Sequence, residues 1–180
     1  EKAVKLGRVD ILVRNRDLWK DLVPRRNLIN LASAMGYLEV VKWLHKNRSE
    51  GCTIWAMNDA AQKGHLEVVQ WLHVHRKEGC TVDAMDLAAK NGHLEVVKWL
   101  VETFHLTVDV WTNNSQGLID ACANGHLKIA QWLVKKFKLT IDDAQSKNYY
   151  ALKYICLNGH LDVLQWFINT FNLKEKNIQT

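Results

Sequence analysis

The segment Gly64-His65-Leu66-Glu67-Val68-Val69-Gln70-Trp71-Leu72 decides the fold, because the chain repeats it. It returns almost unchanged as Gly92–Leu100 and, with a tyrosine in place of the histidine, as Gly36–Leu44. Three looser copies begin at Gly7, Gly125 and Gly159. The leading glycines of the six copies therefore lie at positions 7, 36, 64, 92, 125 and 159, which are 29, 28, 28, 33 and 34 residues apart. Self-similarity at a period of roughly 20–50 residues is typical of stacked repeat proteins.

Each copy has the pattern of two short helices joined by a tight turn. The apolar residues of 66–72 recur three and four positions apart, which makes one broad apolar stripe on a helix. Gly64 suits the left-handed backbone just beyond the end of an earlier helix. That earlier helix carries Ala60-Ala61, small side chains that let two helices approach closely. The sequence therefore predicts antiparallel helix pairs, which must stack on neighbours to bury their apolar surface.

A tryptophan holds the same position in five successive copies. Such a row suits either an aromatic binding ladder or a continuous core. We favour the core, because the same helices carry the apolar stripe. The five residues are Trp43, Trp71, Trp99, Trp132 and Trp166.

The pattern Ala-Ala-x-x-Gly-His-Leu-Glu-Val-Val-x-x-Leu resembles the second half of the ankyrin repeat consensus. The first half departs from it, since Trp55-Ala56-Met57-Asn58 and its copies replace the family's Thr-Pro-Leu-His. In this it is similar to divergent arrays of large amoeba-infecting viruses and some protists. Tetratricopeptide repeats are the nearest alternative, but their Trp-x-x-Leu-Gly pattern is missing. The resemblance implies an all-α ankyrin-repeat solenoid of stacked antiparallel helix pairs, with short or missing β-hairpin fingers.

We expect residues 1–180 to form a single ankyrin-repeat domain of about six repeats, the first of them partial. Because the chain opens with half a repeat, we expect it to be a piece of a longer array. The compact copies between residues 36 and 92 leave little room for fingers. Alternating β-branched residues in 106–115 and 139–147 suit short hairpins there. No run of about eighteen apolar residues exists, so we expect no membrane partner, and we expect a monomer.

The positive charge is concentrated at one end. The chain has a net charge of +5, and its first 26 residues contain eight basic and four acidic side chains. This end suits nucleic acid or another anionic surface. It equally suits a solvated end of a repeat array. Acidic and apolar residues interrupt the basic ones, which favours the second interpretation. A purely architectural spacer is a further alternative.

The sequence predicts no enzyme, no cofactor and no metal. One histidine follows the turn glycine in each of four copies, at His65, His93, His126 and His160. Histidines at repeat spacing cannot converge on one ion, and the ankyrin resemblance implies that they hydrogen-bond backbone at the turn. No nucleophile elbow or phosphate-binding loop is present. The four cysteines suit free thiols in the cytoplasm or nucleus better than disulfides or zinc ligands.

The function predicted is binding of another protein through a concave surface made by the first helices and the fingers. The resemblance implies that the residues just before each turn glycine face that surface, and Trp111 lies near a finger tip as a candidate anchor. The strip is neutral to basic with apolar ends, which suits a partner with acidic groups around an apolar anchor. The asparagines in it also suit local turn geometry. The candidate residues are Met35, Gln62, Lys63, Lys90, Asn91, Trp111, Asn124 and Asn158.

Overall fold

A computed structural model of the chain describes residues 2–14, 27–49, 51–107, 116–140 and 150–173. Within these ranges all regular secondary structure is helical, and no strand is present. The helices described are α1 (Lys2–Lys5), α2 (Val9–Arg14), α3 (Leu28–Ala34), α4 (Leu38–Asn47), α5 (Ile54–Gln62), α6 (Leu66–His75), α7 (Asp83–Lys90), α8 (Leu94–Thr103), α9 (Gln116–Ala123), α10 (Leu127–Phe137), α11 (Tyr150–Asn158) and α12 (Leu161–Phe171).

The chain divides into two compact units, Glu1–Met85 and Asp86–Thr180. In the first unit α3 packs against α4 and against the next first helix, α5, which in turn packs against α6. In the second unit α9 packs in the same way against α10 and α11, and α11 packs against α12. This arrangement confirms the predicted all-α stack of helix pairs.

The connections between repeats are short where the structure describes them. Residues 48–53, apart from Glu50, join α4 to α5, and residues 76–82 join α6 to α7, in both cases without a strand. The prediction of short or missing fingers is therefore confirmed for these connections. Most of the two predicted hairpins, in 106–115 and 139–147, lies outside the described residues. None of the helices described is long and apolar enough to span a bilayer.

The core is built from valine, leucine and alanine, with the tryptophan row at its edge. In α4, α6, α8 and α10 two adjacent aliphatic side chains and a leucine one turn later are buried, as in Val68, Val69 and Leu72 of α6. All five tryptophans of the row are only half-buried. The prediction of a tryptophan core is therefore wrong in this respect. Burial centres on the aliphatic stripe, and a residue at position 71 lies to one side of that stripe.

Within each unit, a turn glycine that is followed by another repeat of the same unit is covered by an aromatic ring from that repeat. A Cβ atom on Gly36, where φ is +74°, would lie 2.5 Å from the His65 ring. A Cβ atom on Gly125, where φ is +77°, would lie 2.7 Å from the His160 ring. A side chain at these positions would both strain the backbone and displace the ring. Glycine is therefore required twice over, for the turn and for stacking of the next repeat.

An ion pair closes the connection that follows α6. Arg76 Nη2 lies against Glu78 Oε1, and Arg76 Nε donates to Glu78 Oε2 at 3.3 Å. Burial would raise the pKa of Glu78, but hydrogen bonds from Arg76 and from backbone amides, including that of Cys52, outweigh it and lower the pKa to about 2. Arg76 also approaches His45 on α4, with 3.2 Å between Nη1 and Nδ1. The pair therefore ties this connection to the preceding repeat.

Substitution of Gly36 by alanine should cost about 2–4 kcal/mol of unfolding free energy, because it adds a displaced His65 ring to the left-handed backbone strain. Gly79 is the matched control, since its φ is +69° and a Cβ there would meet nothing within 4 Å. Gly79→Ala should cost only the backbone part, about 1–2 kcal/mol. Urea denaturation of both variants measures the difference. Equal losses would contradict a stacking role for the ring.

Glu78→Gln should destabilise the protein by about 1–2 kcal/mol at neutral pH, because it removes the charge that holds Arg76. The folded-state pKa of Glu78 lies below the ordinary value of 4.5, at about 2. Its stabilisation is therefore fully present above pH 4.5 and is lost as the pH falls towards 2. Urea denaturation between pH 7 and pH 3 should show the native and mutant stabilities converging in acid. A constant difference would contradict the ion-pair explanation.

Candidate functional site

The candidate site is the solvent-exposed face of the first helices, which is described here separately for each unit. In α5 the buried face consists of Ala56, Met57, Asn58, Ala60 and Ala61. The opposite face carries larger and more polar side chains. Because the small residues point into the repeat stack, this opposite face is the one turned to solvent.

Hydrogen bonds between successive repeats fix the start of each first helix. Asn30 Nδ2 donates to Thr53 Oγ1 at 2.7 Å, and the Thr53 amide donates back to Asn30 Oδ1 at 3.1 Å. Asn58 and Thr81 repeat the arrangement at 2.8 and 3.1 Å. Thr53 Oγ1 also accepts from the Trp55 amide at 3.3 Å and so caps α5, as its position predicts. We call each pair of reciprocal Asn–Thr hydrogen bonds an Asn–Thr clasp. The clasps set the register between neighbouring first helices.

In the unit Glu1–Met85 the predicted residues lie at the ends of first helices. Met35 follows α3 and is 37% exposed. Gln62 ends α5 and is half-buried, and Lys63 follows it and is exposed. The structure thus places an apolar and a basic side chain at the corresponding ends of two helices that pack together.

In the unit Asp86–Thr180 the four predicted residues that the structure describes are exposed, but the asparagine amides are engaged. Asn91 Nδ2 and Asn124 Nδ2 each donate at 2.8 Å to the carbonyl four residues earlier. Asn158 Nδ2 donates to the Ala123 carbonyl of the preceding repeat at 2.5 Å. These three side chains therefore stabilise helix ends and stacking. Lys90 is exposed at the end of α7.

Two of the sequence predictions fall on residues that the structure does not describe. Trp111 lies in 108–115, outside the described residues. The basic end is described only in residues 2–14. There Arg8 is paired with Asp10, with 2.6 Å between Nη2 and Oδ2. This ion pair neutralises one of the basic side chains of the basic end.

Among the exposed apolar residues of the first helices, Trp55 and Tyr154 were not predicted to lie at the site, whereas Leu157 is one of the residues just before a turn glycine that the resemblance placed there. Trp55 on α5 is 53% exposed, and on α11 Tyr154 and Leu157 are 41% and 67% exposed. All lie on first helices. A signal was available for Trp55, since the equivalent position in the next repeat is the charged residue Asp83. Hydrophobic periodicity alone does not distinguish an exposed tryptophan such as Trp55 from the tryptophans of the row on the second helices.

The turn histidines lie between repeats. The His126 ring covers Gly92, and its Nε2 lies 3.0 Å from the Lys90 carbonyl oxygen, to which it donates as the Nε2–H tautomer. The predicted hydrogen bond to turn backbone is thus present at this histidine. Across the described ranges no three His, Cys, Asp or Glu side chains are grouped to hold a metal ion.

The thiols are free, and two of them are poor nucleophiles. Burial raises the pKa of Cys80 to about 11 and that of Cys122 to about 12. A thiol with such a pKa carries almost no thiolate at neutral pH. Cys122 is buried, whereas Cys156, at the equivalent position in the next repeat, is exposed.

A cleft of about 400 Å³ in the second unit lies along the turn edge and not on the first-helix face. It is lined by turn residues together with Lys128 and Asp162. His126 also lines it, so the cleft carries a histidine and charges of both signs.

Comparison with protein-family models identifies the fold family of the chain. A family model described as ankyrin repeats (3 copies) matches residues 28–114 and 57–145. These segments together cover well over half of the chain and include the turn glycines from Gly36 to Gly125. A search of curated proteins finds no match.

Asn158→Ala should lower the unfolding free energy by about 1 kcal/mol, because it removes the hydrogen bond to Ala123 of the preceding repeat. Lys90→Ala, a surface truncation in the same unit, should change it by less than about 0.5 kcal/mol. Urea denaturation of the two variants distinguishes a stacking residue from one that is free for binding. No loss in Asn158→Ala would contradict the structural role.

Proposed function

The chain belongs to the ankyrin repeat family, and on that premise we propose that it is a non-catalytic protein-binding module that takes its partner on the exposed face of the first helices. Ankyrin repeats are generally protein–protein interaction modules. Their first helices stack side by side, so that one helix face from each repeat contributes to a common surface.

The observation that carries the proposal is the exposure of large apolar side chains on this face. Trp55 in the first unit, and Tyr154 and Leu157 in the second, are between 41% and 67% exposed. Aromatic and large aliphatic residues are the usual anchors of protein interfaces, because they bury much area with few rotatable bonds. Small residues at these positions would stack the repeats equally well.

The charge around these anchors supports a protein partner with acidic groups. Lys63 and Lys90 are exposed at the ends of first helices, and Met35 is exposed at the equivalent end of α3. A basic rim beside apolar anchors suits a partner whose acidic groups surround an apolar side chain. Trp111 stays a predicted contact of the same surface.

We place this function in the cytoplasm or nucleus, since all four cysteines are free thiols. We retain the sequence-based expectations of a monomer and of one array over residues 1–180. Within the family, the divergent first half of each repeat motivates the further hypothesis of an effector that acts on host proteins. Nucleic-acid binding and a spacer role are the alternatives that the following experiment separates.

Lys63→Glu and Lys90→Glu should each weaken partner binding by about 1–2 kcal/mol, since they place like charges opposite an acidic partner. The matched controls are Lys46→Glu and Lys135→Glu, which make the same charge change at exposed positions on second helices. We would measure affinity capture from lysate with nuclease present, at about 0.15 M salt, where surface charges are partly screened.

Selective loss in the first-helix variants supports the proposed face. Equal loss in the control variants would move the interface to the second helices. Capture that disappears with nuclease would favour nucleic acid, and capture of nothing by the native chain would favour the spacer.

A further inference from the structure

Trp55 is the largest exposed side chain on α5. It lies in the first turn, is 53% exposed, and its indole makes no ring contact or hydrogen bond within the described residues. The helix is held by burial of its other face and by the Thr53 cap, so that the indole is not needed to fix it. An aromatic face turned to solvent attracts cations through its quadrupole.

A carboxylate follows Trp55 one helical turn later. Residues four apart lie on the same helix face, with Cβ atoms about 6 Å apart, so Asp59 is a neighbour of the indole. The Asp59 carboxylate is half-buried and has no hydrogen-bond or ion-pair partner within the described residues. Burial raises the pKa of Asp59, and the Lys63 charge one turn further along offsets this only in part. A cation brought to this side chain would restore the electrostatic stabilisation that burial removes.

A second carboxylate comes from the next repeat and is held in place by hydrogen bonds. Asn58 Nδ2 donates to Thr81 Oγ1 at 2.8 Å, and Thr81 Oγ1 donates to Asp83 Oδ2 at 3.0 Å. Asn58 lies three residues after Trp55 on the same helix. This chain of two hydrogen bonds therefore orients the exposed Asp83 carboxylate from Asn58 on α5. Asp83 is also the repeat equivalent of Trp55, at the same level of the neighbouring first helix.

We propose that Trp55, Asp59 and Asp83 form a binding site for a lysine or arginine side chain of the partner protein. The proposal rests on the proposed function and makes the partner more specific. The cation lies on the indole face, and its N–H groups donate to the two carboxylates. Residues 54–62 of α5 contain no basic side chain, and Lys63, one turn beyond Asp59, only partly offsets the effect of its burial.

The charges along α5 also give the partner a direction. Lys63 lies eight residues after Trp55, which is about 12 Å along a helix. A partner segment that runs along α5 would therefore place its basic residue at the Trp55 end and its acidic group at the Lys63 end. This order makes the basic side chain proposed at Trp55 compatible with the acidic group of the partner that is expected opposite Lys63.

The test uses the full chain and a displayed library of random linear peptides, followed by titration of selected peptides and of the same peptides with each basic residue changed to alanine. We expect selected peptides to share a lysine or arginine beside an apolar residue. Trp55→Ala should weaken them at least about tenfold, whereas Trp55→Phe, which keeps an aromatic face, should retain most of the affinity. Val74→Ala, at an exposed position on α6, is the control.

A double-mutant cycle provides the decisive readout. Asp59→Asn and Asp83→Asn should each weaken the native peptide about threefold to tenfold and leave the alanine peptide unchanged. Equal weakening of both peptides, or selected peptides without a basic residue, would overturn the cation site. If selected peptides without a basic residue still bind the Lys63→Glu variant more weakly than the native chain, the proposed function holds without the cation site. If the native chain selects no peptide, both proposals fail. Unchanged melting temperatures of the variants would show that every affinity comparison is made between folded proteins.

Discussion

The contact between a turn glycine and the ring of the following repeat is the constraint on which this structure depends. His65 over Gly36, His126 over Gly92 and His160 over Gly125 leave no space for a Cβ atom, and each glycine has a positive φ. The same contact holds the turn backbone through the His126–Lys90 hydrogen bond. Because the rings close the turn edge, successive helix pairs stack in a fixed register, and the buried aliphatic stripe follows from that register.

Stacking through the turns and the second helices determines where function can reside. The turn histidines pack between repeats and are not grouped for chemistry within the described residues. The small residues of the first helices pack inward, and the Asn–Thr clasps fix the starts of these helices. The opposite face of the first helices stays exposed, and its sequence varies between repeats, from Trp55 to Asp83 for example. A scaffold repeated at the turns and variable on one face is suited to recognition.

The repeated segment allowed the fold to be predicted, because glycine spacing and the 3.6-residue stripe report directly on local structure. The roles of single side chains were harder to predict. The tryptophan row lies at the edge of the core, since periodicity shows which face is apolar but not how deeply each residue is buried. Asn91, Asn124 and Asn158 donate to backbone carbonyls, a use that depends on three-dimensional distances. Trp55 was missed because exposure depends on neighbouring repeats. Trp111 and the single-domain organisation stay predictions.

Hydroxyl-radical footprinting of the chain with and without its captured partner tests the central claim most directly, because it reports side-chain exposure on both helix faces in one experiment. The account predicts protection of Met35, Trp55, Tyr154 and Leu157 on the first-helix side, with no change at Val74, which is 74% exposed on the second helix α6. Protection of Val74 while Trp55 and Leu157 stay reactive would contradict it.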